Sequence, residues 1–147
     1  MSNLFKLIVI VILFTTLFTT CDKNDDNNGG EDITIFKAML YGSSEVPPNA
    51  SAATGSTTLT FYESTKKFIA VTLYSGLTPS AGHIHNAAVG VSGPPVFPFV
   101  MGPSPITFES GVLTQEQVNE LFNGRMYVNL HTTAYPNGEI RGQLIKQ

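Results

Sequence analysis

From Ile33 onward, apolar and polar residues alternate in short runs separated by Gly, Pro, Ser and Asn, the pattern left by strands with one buried face. The spacing predicts strands over Ile33 to Tyr41, Ser56 to Tyr62, Lys67 to Tyr74, Gly82 to Asn86, Ile106 to Glu109, Arg125 to Thr132 and Glu139 to Ile145. In the third of these, Ile69, Val71 and Leu73 make one apolar face. The polar stretch Glu63-Ser64-Thr65-Lys66 predicts a turn that pairs the second and third strands antiparallel. One segment changes period. Thr114 can cap a helix, Gln117 can reach back to the cap, and Leu113 can pack on Val118. Val118, Leu121 and Phe122 supply an apolar stripe, and Asn123-Gly124 a left-handed stop. Many short antiparallel strands with one short helix argue for an all-β sandwich over residues 33–147.

The register of the last hairpin decides which side chains become neighbours. With Asn137-Gly138 as a two-residue turn, Leu130 would face Ile145 and the aliphatic residues would divide between two faces. With Pro136-Asn137-Gly138 as a three-residue loop, Tyr135 pairs with Glu139 and Leu130 with Leu144, and the aliphatic residues share a face. Pro136 and Asn137 suit the central positions of a type I turn, and Gly138 a left-handed bulge. His131 is then expected opposite Gln143, on a polar face with Tyr127, Asn129, Glu139 and Arg141.

The front of the chain is a different kind of sequence. Lys6 precedes an unbroken apolar run from Leu7 to Phe14, shorter than the ~20 residues a membrane-spanning helix needs. A positive start and apolar middle are those of a secretory signal over residues 1–20. Cys21 is the only cysteine, so no internal disulfide can form. Its place resembles that of the lipidated cysteine of bacterial lipoproteins, although Phe18-Thr19-Thr20 departs from the preferred residues before it. Residues 21–32, with Asp22, Asp25, Asp26, Glu31 and Asp32 among Asn and Gly, form a tether too polar to pack. The expectation is a palmitate-type anchor at Cys21 in the lipid bilayer, at the outer membrane of a bacterial cell envelope. With five acids in the tether, the remainder carries six acids against six bases. A neutral domain lacks the basic stripe that nucleic-acid binding requires.

Three histidines carry the candidate chemistry. In an extended His83-Ile84-His85, both imidazoles point to one side. In Met126 to Thr132, His131 shares the polar side with Tyr127 and Asn129. Imidazole suits zinc and copper, and three histidines from two strands would leave a fourth position open. The alternative is structural: hydrogen bonds to backbone and to Glu139 or Asn129 that pin two strands together.

Glu45-Val46-Pro47-Pro48, Gly76-Leu77 before Gly82-His83-Ile84-His85, Tyr127 to Thr132, and Pro136 to Leu144 together resemble the CHRD domain over about Phe36 to Leu144. That domain is named for chordin, an animal antagonist of bone morphogenetic proteins, and occurs in many bacterial secreted proteins. The resemblance implies an antiparallel Greek-key β-sandwich of immunoglobulin-like or superoxide-dismutase-like character and little about function. The expectation is a non-catalytic domain that binds an unidentified protein or small ligand, the alternative a metalloprotein holding zinc or copper through His83, His85 and His131. It does not carry chordin's growth-factor binding to this chain. A copper-zinc dismutase site uses more histidines than this chain contains. No serine sits in a Gly-x-Ser-x-Gly turn, and no phosphate loop or dinucleotide fingerprint is present. The Pro-rich stretch Val91 to Met101, carrying Phe97, Phe99 and Met101, is expected either as an apolar contact surface for a partner or as a crossover that buries its aromatics.

Overall fold

The computed structural model describes residues 31–147; the expected signal peptide, Cys21 and most of the tether lie outside the described residues. Alternating β-branched and aromatic residues form β1 (Ile33–Tyr41), β2 (Thr54–Tyr62), β3 (Lys67–Ser75), β4 (Ala81–Asn86), β5 (Pro95–Pro98), β6 (Ile106–Glu109), β7 (Met126–His131), β8 (Ile140–Gln143) and β9 (Ile145–Lys146). They make one antiparallel sheet in the order β5-β4-β7-β8-β1-β2-β3-β6, with β9 also on β1. The sheet curls into a half-barrel, so the all-β architecture is built from two halves of one sheet facing each other across the core.

Strands β2 and β3 pair from Thr54↔Ser75 to Tyr62↔Lys67, as the polar turn between them predicts. The inward residues of β3 are Phe68, Ala70 and Thr72, so the Ile69, Val71 and Leu73 face turns outward. Aromatic bulk decides the matter, because Phe36, Phe61 and Phe68 fill the inside together. Thr72 tolerates its inward position because its hydroxyl lies 2.8 Å from that of Thr57, satisfying both buried groups.

Helix α1 (Gln115–Phe122) closes one side of the core. The Thr114 hydroxyl accepts from the Gln117 N–H, the Gln117 side chain accepts from the Thr114 N–H, and Gly124 takes φ +66 after the last turn. Phe122 meets Phe36 and Phe61 edge-on at 5.3 and 5.5 Å.

Two expectations need correction. Across β7 and β8, Leu130 pairs with Ile140, Asn129 with Arg141, Val128 with Gly142 and Tyr127 with Gln143, in place of the expected Leu130–Leu144, Tyr135–Glu139 and His131–Gln143 pairs. The partner of Leu130 moves by four residues, an even step, so every side chain keeps its face. Met126, Val128, Leu130, Ile140 and Leu144 are accordingly all buried. The longer connection holds itself together through Thr132 and Tyr135, which exchange backbone bonds, and through the Gly138 N–H to the Tyr135 carbonyl. The second correction concerns Val91 to Met101. Its prolines argue against a strand, yet β5 forms at the sheet edge, where a missing N–H is tolerated. Phe97 packs on Phe68 and Phe108, Phe99 on Phe108, and Met101 against the same cluster. These side chains fill the gap between the two ends of the sheet, with Phe99 buried and Phe97 and Met101 partly buried.

Candidate metal centre

Strands β4 and β7 are antiparallel neighbours, with Ala81↔His131, His83↔Asn129 and His85↔Tyr127 across the ladder. Period-two alternation then puts all three imidazoles on one face, while Ile84, Val128 and Leu130 turn into the core. One nitrogen from each of His83, His85 and His131 lies within 4.8 Å of the other two. His83 Nδ1 and His131 Nε2 are 3.3 Å apart. That separation equals the edge of a tetrahedron with ~2.05 Å metal–nitrogen bonds, about 3.3 Å.

Backbone carbonyls fix two of the three tautomers. His85 Nδ1 lies 2.9 Å from the Gly93 carbonyl and His131 Nδ1 lies 3.1 Å from the Pro136 carbonyl. A carbonyl only accepts, so both Nδ1 atoms carry the proton and both Nε2 atoms present lone pairs. His85 Nε2 is buried and no donor among the described residues reaches it. His83 is half-buried, and its Nδ1 faces the lone pair of His131 Nε2 at 3.3 Å, so among the described residues its Nδ1 carries the proton and donates to His131. Burial lowers the pKa of all three; at His85 and His131 the neighbouring imidazoles push the same way, and the Gly93 and Pro136 carbonyls oppose. The cluster is therefore held neutral near pH 7, the state that a metal requires.

The surrounding polar face divides. Tyr127 stacks on His85 at 4.9 Å and 13°, and the Arg141 Cζ lies 3.7 Å from the centre of the Tyr127 ring. Gln143 instead donates to the carbonyls of Ala87 and Gly124. Glu139 is occupied by the Ser51 and Thr132 hydroxyls at 2.7 and 2.6 Å. Neither Glu139 nor Asn129 bonds an imidazole, so the strand-pinning role expected of such contacts falls to loop carbonyls.

The sequence gives no reason to place Glu45 here, yet its carboxyl is buried beside Asn129 and Arg141. Burial pushes its pKa up to about 7, against the pull of Arg141. Its neighbour Gly138 takes φ +131, and a Cβ there would stand 2.6 Å from Glu45 Oε1. The carbonyls of Gly93 and Pro136 are equally invisible to side-chain patterns; only the loop glycine and proline hint at them.

Among known proteins, the family model described as the CHRD domain matches residues 36–144. No curated protein matches the chain, and no solved structure does.

Proposed function

The chain belongs to the CHRD family, and from that premise we propose that it is a non-catalytic binding protein of the cell envelope whose bound species is a transition metal held by His83, His85 and His131. The observation that carries this reading is His85 Nε2: a lone pair fixed by the proton on the other ring nitrogen, buried, without a donor among the described residues, on a ring that offers a nitrogen within 4.8 Å of those of His83 and His131. Leaving such an acceptor unpaired costs roughly 1 to 3 kcal/mol, which a bound cation removes. The neutral three-imidazole set suits zinc or copper, and His83 and His131 are close enough for both to ligate one ion. For His83 to ligate through Nδ1, its proton would sit on Nε2 instead and the bond to His131 would be given up.

The sequence around Cys21 supports a cell-envelope location. A lipidated Cys21 followed by a polar tether would display the domain at the bilayer surface.

Thermal unfolding of tag-free protein with Zn(II) or Cu(II) tests the metal. At a hundred times Kd the metal adds about 2.7 kcal/mol, on the order of 10 °C in Tm for a domain of this size. The gain should vanish in His131→Ala. A wild-type melting point that ignores both metals, with no metal retained after dialysis, would refute the proposal.

A further inference from the structure

The loop between β4 and β5 reaches back over His85, and a close backbone approach is what permits it. A Cβ on Gly93 would stand 1.9 Å from the Asn86 carbonyl oxygen, so only glycine fits. The pairing of β4 with β5 also shifts register between Ile84 and His85, a bulge that turns the incoming chain towards the imidazole. The loop is then tied down at two residues. The Gly93 carbonyl accepts from His85 Nδ1 at 2.9 Å, while the Gly93 N–H donates to the Tyr127 hydroxyl at 3.1 Å. Arg141 Nη2 donates to the Val91 carbonyl at 2.9 Å while its guanidinium lies over the Tyr127 ring. Tyr127 in turn stacks on His85. Side chain and loop form a closed circuit: His85 to Gly93, Gly93 to Tyr127, and Tyr127 back to His85.

We infer that Tyr127 is a positioning residue for the three-histidine centre, acting through Gly93 to hold His85 with its proton on Nδ1 and its lone pair on Nε2 before any metal arrives. The inference deepens the metal reading and rests on it for function, while its structural content concerns the metal-free protein. Tyr127 itself lies outside the set of ligating nitrogens. Its ring limits the tilt of the imidazole, and its hydroxyl fixes the peptide that accepts the imidazole proton. Arg141 completes the clasp by holding Val91, two residues ahead of Gly93. Outer contacts of this kind set tautomer and ring orientation, and losing one weakens metal affinity by about 10- to 100-fold.

Two measurements test it. The first is the nitrogen-15 NMR spectrum of the histidine rings in metal-free protein at pH 8, which reads the tautomer directly. Wild type should show His85 as the Nδ1–H form; a majority of Nε2–H overturns the inference with no variant needed. The second compares Tyr127→Phe, which keeps the ring and deletes only the hydroxyl, with Gln143→Leu. Gln143 pairs with Tyr127 in the sheet but bonds Ala87 and Gly124, so its loss should lower the melting point and leave His85 untouched. Tyr127→Phe should move His85 towards a mixture of tautomers and weaken Zn(II) binding by 10- to 100-fold. An unchanged tautomer and unchanged Zn(II) affinity in Tyr127→Phe would overturn the proposal. If wild type binds no metal while Tyr127→Phe still shifts the tautomer, the metal reading fails and the positioning role stands.

Discussion

Glu45→Gln isolates a buried carboxyl whose proton the fold holds more tightly than the unfolded chain does. The ordinary carboxyl value is 4.5, and burial raises that of Glu45 to about 7. The unfolded chain therefore releases this proton at lower pH than the folded one. The stability it contributes is whole below pH 4.5 and is lost as pH rises through 7. The gap of about 2.5 pH units sets a ceiling of about 3.4 kcal/mol at 1.36 kcal/mol per unit. Solvent reaching the adjoining loop, together with relaxation around Arg141, reduces the expected loss to ~1 to 2 kcal/mol. Glutamine copies the shape of the protonated acid and cannot titrate. The three histidines shift stability in the opposite sense: their lowered values favour the folded state above pH 6.5 and cost it stability as pH falls. They are present in both proteins and cancel in the difference. Urea unfolding of metal-free wild type and variant at pH 5 and pH 8 should show the wild type losing ~1 to 2 kcal/mol relative to Glu45→Gln between the two. A difference that stays level, or one that moves in favour of the wild type as pH rises, would refute the reasoning, the latter because it would mean that Arg141 holds the carboxyl ionised.

Gly138→Ala should destabilise the domain by at least ~2 kcal/mol, since φ +131 strains any L side chain and the added Cβ meets Glu45 and Asn129; an unshifted urea midpoint would contradict this. Cys21→Ser should move the protein from the membrane to the soluble fraction of fractionated cells, whereas retention in the membrane would point to an uncleaved apolar anchor.

Much of the sheet is legible in the sequence because period-two alternation and turn residues act locally. β1 and β6 begin and end where the pattern places them, and the Thr114–Gln117 capping box forms as its spacing requires. The three histidines share a face for the same reason. Register is less legible. In β7 and β8 any even slip preserves the buried face, so hydrophobicity could not distinguish Leu130–Leu144 from Leu130–Ile140; polar contacts within the Thr132 to Glu139 loop decide it. In β3 both faces carry apolar residues, and the choice between them rests on how distant Phe36 and Phe61 fill the core. The parts of the site that come from backbone are the least visible. No pattern announces that the Gly93 and Pro136 carbonyls would select the tautomers of His85 and His131.

The placement of β1 governs how the domain can assemble in time. On one side its partner β2 follows at once in sequence, but on the other Tyr41 pairs with Arg141 and Phe36 with Lys146, each about a hundred residues further along. Closing so long a loop must precede any reward from those contacts, which places folding among the slower, millisecond-to-second class of small domains. In the sheet order, β8 and β9 lie on the side of β1 opposite to β2, β3 and β6. The β1 ladder is consequently completed only when β8 and β9 pair, and the histidine face likewise needs two strands far apart in sequence, β4 and β7.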